Sequence, residues 1–317
     1  MRRTKGITGI KGAAAAGVAV ASVLALAACG PLGTSAGDKS KDEPTATGAP
    51  QSTDHKDSPL SGAAHAVNAL DLVKKTTTGV HSAKVESDIS IGSTMSITSK
   101  GAIDWRHGLV GTMGITYTGG SAAESLREAG APTTMSARYL PDAYYVNLGS
   151  AMAAQFGGKH WVRYGYDDMG KLSDVAGSYM KDSIQNNNPV KSVDVALAAP
   201  DSRVVGTETV RGVRTTHYTA TIDVQAMLGG TGTGLSAAEQ SQLKDTLTKA
   251  GVSSETVDLW VSKDNLPVEA VVKADTKAGV MKTTTFYSDF GTAVTATPPA
   301  ASDTVDFGDA MNKAQDN

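Results

Sequence analysis

Between Thr94 and Arg106 the odd positions, Met95, Ile97, Ser99, Gly101, Ile103 and Trp105, are mostly apolar. The even positions, Thr94, Ser96, Thr98, Lys100, Ala102, Asp104 and Arg106, are mostly polar. A period of two turns one set toward a packed face and the other toward water, which predicts a strand. The same alternation predicts strands at Leu109–Tyr117, through Met113 and Ile115, and at Thr133–Tyr139, through Met135. Shorter strands are expected at Ala143–Leu148 and Lys159–Tyr164. A second set follows at Arg203–Arg211, Val213–Asp223, Thr256–Ser262, Val268–Asp275 and Val280–Asp289, and the junction Arg211-Gly212-Val213 is tight enough for a hairpin.

Elsewhere the period lengthens. Leu60–Thr77 carries Ala63, Val67, Leu70 and Val73 at steps of three and four, which is helical spacing. Asp167–Ala199 repeats it with Met169, Leu172, Val175, Tyr179, Met180 and Ile184, and Pro189 divides that stretch in two. A further helix opens at Ser236, where Glu239 stands three residues on as in a capping box, and continues through Leu243 and Leu247.

Strands of one-sided polarity joined by short turns imply a single antiparallel sheet with one face covered. The helices fall into a few insertions and do not alternate with strands, which excludes a doubly wound parallel fold. The expected class is therefore α+β: a curved antiparallel half-barrel sheet with helices on its concave side. Its inner face would be rich in methionine and β-branched residues, which pack softly around flexible chains. The candidate lining is Met95, Ile97, Ile103, Trp105, Met113, Ile115, Met135, Val146, Met180 and Ile184. A filled core and an apolar pocket share this signature, so the pattern alone leaves both readings open.

The first sixty residues obey different rules. Arg2, Arg3, Lys5 and Lys11 precede an uncharged run from Gly12 to Ala28. That run is shorter than the roughly 20 residues a spanning helix needs, and this order of charge and apolarity is that of a secretory signal peptide. It closes on Leu26-Ala27-Ala28-Cys29, which resembles the bacterial lipobox; cleavage would fall between Ala28 and Cys29, and the thiol would carry a diacylglycerol. The other reading is ordinary leader cleavage beside a free thiol. Cys29 is the chain's single cysteine, so no intramolecular disulfide can support an exported domain. Two or more acyl chains, at about 0.8 kcal/mol per buried CH₂, would hold the protein on the outer face of a cell membrane.

Residues 29–60 are dominated by Gly, Pro, Ser, Thr, Asp and Lys, a composition that cannot offset the entropy of ordering. They are expected to form a tether with a reach of about 30 Å. The expected organisation is thus a leader at 1–28, a lipidated tether at 29–60, a lipid-binding domain at 61–308 and a tail at 309–317. Loss of the leader removes four positive charges and no negative ones, moving the formal net charge from −3 to −7. An acidic body is a poor partner for phosphate backbones, which argues against nucleic acid.

Catalytic patterns are missing from the sequence. His55, His65, His81, His107, His160 and His217 are scattered without zinc-like spacing. No serine sits in a Gly-x-Ser-x-Gly elbow. The run Gly229–Gly234 is followed by Leu235 and Ser236, where a phosphate loop needs lysine and serine or threonine, so it is expected to be a hinge into the following helix. No catalytic residue, metal or cofactor is assigned.

Three segments resemble the LppX/LprG-like lipoproteins: Gly206–Asp223 with His217 and Tyr218, Val257–Val261 leading into Asp264-Asn265-Leu266-Pro267, and Tyr287–Gly291 leading into Pro298-Pro299. The resemblance implies a fold like that of the lipoprotein carrier LolA, a half-open barrel with helices lining its mouth. It also implies binding of acyl chains of envelope lipids or lipoglycans in the hollow. The expected function is a membrane-anchored extracytoplasmic carrier or presenter, with no enzymatic activity. The alternative is an envelope sensor or interaction module that binds a partner protein's exported domain without moving lipid.

Overall fold

The computed structural model describes residues 59–172, 181, 184, 185, 187–223 and 237–309. The lipobox with Cys29, the tether, Met180 and the glycine run at 229–234 lie outside the described residues. Among the described residues twelve strands form one sheet in the order β12-β6-β5-β4-β3-β2-β1-β11-β10-β9-β8-β7. The sheet is curved and unclosed, and the fold is α+β.

The first half of the sheet is a chain-order meander: β1 (Ser82–Ile91), β2 (Met95–Asp104), β3 (Val110–Gly119), β4 (Thr134–Tyr139), β5 (Ala143–Asn147) and β6 (Trp161–Gly165). The second half is another: β7 (Arg203–Val210), β8 (Val213–Asp223), β9 (Ser254–Ser262), β10 (Pro267–Thr276) and β11 (Gly279–Ser288). The two meet along β1 and β11, whose register runs from Lys84 opposite Ser288 to Ile91 opposite Met281. All these pairings are antiparallel; the exception to the expected pattern is β12 (Thr304–Asp306), which pairs parallel to β6.

Strand β1, at the centre, was not among the strands expected from the sequence, although its alternation is clear in retrospect. Ala83, Val85, Ile89 and Ile91 are buried while Lys84 and Asp88 face solvent. The hairpin between β7 and β8 turns where it was expected, with Arg211 at φ 47° and Gly212 at φ 84°. Two successive left-handed residues make the kind of turn whose twist matches paired strands.

Among the described residues six α-helices accompany the sheet: α1 (Pro59–Val80), α2 (Gly120–Glu128), α3 (Gly149–Ala153), α4 (Tyr166–Leu172), α5 (Pro189–Ala198) and α6 (Ala237–Ala250). Helix α1 buries Ala66, Leu70, Val73 and Thr77, a stripe at steps of four and three. Val67, counted in the sequence stripe, is 37% exposed, because the buried stripe centres one residue earlier, on Ala66. Asp167 and Asp168 occupy the first turn of α4, where negative charge suits the helix dipole. Helices α2 and α3 were not expected from the sequence. Helix α5 starts cleanly because the Asn188 side chain accepts from Val190 N and Lys191 N, with Pro189 at the first helical position.

Helix α5 packs on α1 and on the inner face of β8, β9 and β10, and α1 also reaches β7. Lys74 Nζ to Asp194 Oδ1 at 2.7 Å ties α1 to α5. Thus α1, at the start of the first half, is clasped by the second half. A return exchange follows β11. Residues 289–303 run back across the first half: Gly291 N donates to Ser82 O, Ser82 Oγ to Thr292 O, and Arg138 Nη1 to Thr297 O at 2.9 Å. This strap delivers β12 to the far edge.

Candidate functional site

The inner face is one continuous apolar cluster, but its middle is not uniformly apolar. Strand parity places Val85, Ser87 and Ile89 of β1 inward, with Ser99 and Ile103 of β2, Met113 of β3, Thr283, Thr285 and Tyr287 of β11, and Ala270 and Val272 of β10. Together with Leu109, Tyr139, Asn187 just before α5 and Ser192 of α5, they line a cavity of about 50 Å³ between sheet and helix. That is room for one or two waters at ~30 Å³ each.

Its geometry depends on a glycine. A Cβ on Gly101 would lie 2.0 Å from Thr112 O and 2.6 Å from Met113 Sδ, so the bare backbone lets β3 approach and lets Met113 lie over β2. Three sides of the cavity carry hydroxyls. Ser87 Oγ and Thr285 Oγ1 share one hydrogen bond at 3.0 Å. Thr283 is 6% exposed and its Oγ1 has no partner; Ser99 is 7% exposed. Ser192 is a hydrogen-bond partner of the Tyr287 hydroxyl.

A second inner region lies toward β6. Tyr144 and Tyr164 stack at 4.6 Å, Tyr139 and Tyr166 flank Tyr144, and Phe307 stacks on Tyr164 at 4.8 Å. Burial pushes the phenols of Tyr117, Tyr139, Tyr144, Tyr164 and Tyr166 well above their ordinary value. The hydroxyls of Tyr117, Tyr144 and Tyr166 are buried without a partner, each at a cost of about 1–3 kcal/mol.

Among the ten candidate lining residues, Ile103 and Met113 line the cavity. Met95, Ile97, Ile115, Met135, Val146 and Ile184 are buried in the surrounding cluster, and Trp105 packs against it partly buried. The hydroxyl residues Ser87, Thr283 and Thr285 were not singled out from the sequence. Their signal was parity: each shares its strand's inward register with apolar neighbours.

The outer face carries charge instead. Glu86 pairs with Lys100 at 2.5 Å and with Arg211 at 2.8 Å, and Arg211 lies 3.6 Å over the Phe286 ring. His217 sits in β8, its Nδ1 3.0 Å from Glu208 and its Nε2 3.0 Å from Asp258, stacked on Trp260 at 4.2 Å. Both ring nitrogens are thus taken by carboxylates, and among the described residues no group of three or more His, Cys, Asp or Glu could hold a metal ion. One further carboxyl is buried inside. Glu255, on β9 between Ile222 and Ala274, is 4% exposed, and burial pushes its pKa up to about 8. No helix among the described residues is long and apolar enough to cross a membrane.

No family model matches the chain. A 31.2 kDa protein of Streptomyces griseus, encoded in the rplA–rplJ intergenic region, is 47% identical over 241 residues, covering 76% of this chain and 79% of the relative. The candidate lipoprotein SCO4650 of Streptomyces coelicolor is 39% identical over 240 residues, 76% of this chain and 74% of the relative. Among solved structures, LprF from Mycobacterium bovis aligns with a TM-score of 0.45 at 17% identity, over 75% of this chain and 98% of that one. The lipoprotein LppX of Mycobacterium tuberculosis aligns with a TM-score of 0.44 at 13% identity, over 74% and 99%.

Proposed function

The chain belongs to the family of these two Streptomyces proteins, and on that premise we propose that it is an extracytoplasmic lipoprotein that shelters lipid on its sheet. It is fastened to the membrane by a diacylglycerol on Cys29, at the outer face, and the folded body moves on the tether. The concave side of the sheet takes acyl chains of an envelope lipid or lipoglycan and carries or presents them. The name of the S. coelicolor relative and the resemblance of Gly206–Asp223 to the LppX/LprG-like lipoproteins support this reading.

The observation that carries it is the cavity beneath α5. Its walls are inner-face side chains of six strands, and the ten-residue helix α5 contributes Ser192 to its cover. At about 50 Å³ it is far below the roughly 300 Å³ at which small-molecule sites begin, so loading requires α5 to lift from β8–β10. Apolar burial at about 25 cal/mol per Å² drives loading, but chains drawn from a bilayer were already out of water. The net affinity is therefore modest, as a carrier needs.

The test is native mass spectrometry of the full chain carrying Cys29→Ser, which removes its own acyl groups. Copurified lipid, or uptake of added lipid, is expected; a preparation that neither retains nor takes up lipid would overturn the reading. In cells the same substitution is expected to move the protein out of the membrane fraction. The small cavity also favours a second reading, an envelope sensor or interaction module that binds a partner protein's exported domain. In that case crosslinking on intact cells returns one protein partner and the native spectra contain no lipid.

A further inference from the structure

We infer that the cavity under α5 is a recognition site for an uncharged carbonyl, the ester or amide oxygen of an acyl group, and not merely a gap in a hydrocarbon trough. This rests on the proposed lipid-binding function and names the cargo's chemistry.

The argument begins with hydroxyl accounting. A serine or threonine hydroxyl has one proton to donate. Thr283 is more than nine-tenths buried and its Oγ1 has no hydrogen-bond partner among the described residues; Ser99, also more than nine-tenths buried, lines the same cavity. Ser87 and Thr285 share one hydrogen bond, which leaves one of their two protons unused whichever is the donor. The unmade Thr283 donor thus shares one small space with the hydroxyls of Ser87, Ser99 and Thr285, where the strand carbonyls are already engaged in ladder pairing. Leaving a buried donor unmade is costly, so the Thr283 hydroxyl, set among other hydroxyls on an otherwise apolar face, points to an acceptor that arrives from outside.

The surroundings narrow the acceptor. Among the described residues no lysine, arginine, histidine, aspartate or glutamate lines the cavity, so a phosphate or carboxylate would meet no countercharge from them. A neutral carbonyl oxygen can take two of these protons at once. Ile89, Ile103, Met113 and Val272 flank the hydroxyls, which suits a polar group carried within a hydrocarbon body. At about 50 Å³ the cavity fits such a group and not the chain attached to it. The chain then runs over the apolar side chains uncovered when α5 lifts.

The test compares a short-chain diacyl phosphatidylcholine with its dialkyl-ether counterpart, which lacks both carbonyls, binding each below its micellar concentration to the full chain with Cys29→Ser. The diester is expected to bind about tenfold tighter, the worth of one or two hydrogen bonds. Thr283→Val is expected to reduce that preference to about twofold. Ser99→Ala provides the same readout should the first variant fail to fold. Equal binding of the two lipids would overturn the inference and leave the lipid-binding function standing. A preference that survives both substitutions would overturn this location. Binding of neither lipid would overturn the function itself, and the inference with it.

Discussion

The two halves of the sheet are built alike and finished differently. Each is a meander in chain order, yet the outer edge of the first is covered and that of the second is open. At the first edge β12 lies against β6, and Arg163 reaches Asp306 at 2.8 Å and Asp142 at 3.4 Å. Lys159 Nζ donates to the carbonyls of Ala301, Ser302 and Thr304, while Asp303 accepts from the His160 amide, which holds its carboxyl below the ordinary range. At the second edge most of β7 is exposed, apart from half-buried Gly206 and buried Val210, with Val204 and Val205 about half exposed and a register shift between Val204 and Gly206. That irregularity is itself a protection, since a bulged, twisted edge is a poor template for pairing. One half is locked by contacts made late in the chain; the other depends on local geometry.

Substitutions can break this contrast in graded steps. Phe307→Ala removes a buried ring that holds the strap's end on Tyr164, and is expected to cost about 3 kcal/mol by urea unfolding, with β6 and β12 amides losing most protection against hydrogen exchange. The next effect has the opposite sign and sits in the second half. Glu255 has a folded pKa near 8 against an ordinary 4.5, so the native state holds a proton that the unfolded chain releases between those values. Its contribution to stability is therefore fullest below about pH 4.5, falls as pH rises toward 8, and then levels. Glu255→Gln is expected to flatten that slope and to raise stability at pH 7 by roughly 2 kcal/mol in pH-dependent unfolding curves.

Smaller effects sharpen the picture. His217→Ala uncouples β7 from β9 by removing the ring between Glu208 and Asp258, and leaves Asp258 with Lys273 at 3.7 Å. About 1–2 kcal/mol is expected in thermal unfolding, with β7 opening first in hydrogen exchange. Val205→Lys, at an exposed edge position, is expected to change stability by no more than about 0.5 kcal/mol; a larger loss would mean that the edge is covered in solution.

What could be read from the sequence follows from how long each pattern runs. Strand β2 was legible because alternation persists from Met95 to Ile103, and the Arg211-Gly212 hairpin because a two-residue turn demands left-handed backbone. Strand β1 was missed although Ala83, Val85, Ile89 and Ile91 alternate, because Ser87 interrupts the series in sequence while facing inward in space. Helix α2 shows only Ala123 and Leu126 as its buried face, and β12 has three residues, too few for any period. What places β12 is charge from Lys159 and Arg163, about 140 residues earlier. The candidate site was half legible for the same reason. Parity identified the inner face, but where that face is filled depends on where α5 lies, and no local pattern encodes that.

The pairing of Lys84 with Ser288 joins strands about two hundred residues apart, so the central seam has the longest loop to close of any pairing in the sheet. As the chain is synthesised, each meander can form from neighbouring hairpins, but β1 must wait, one side unpaired, until residues near 288 have emerged. During that interval the first half presents a ten-residue edge to whatever else is in reach. Zipping of that seam is the expected slow step of maturation, and its completion ends the period in which the nascent protein is most open to misassembly.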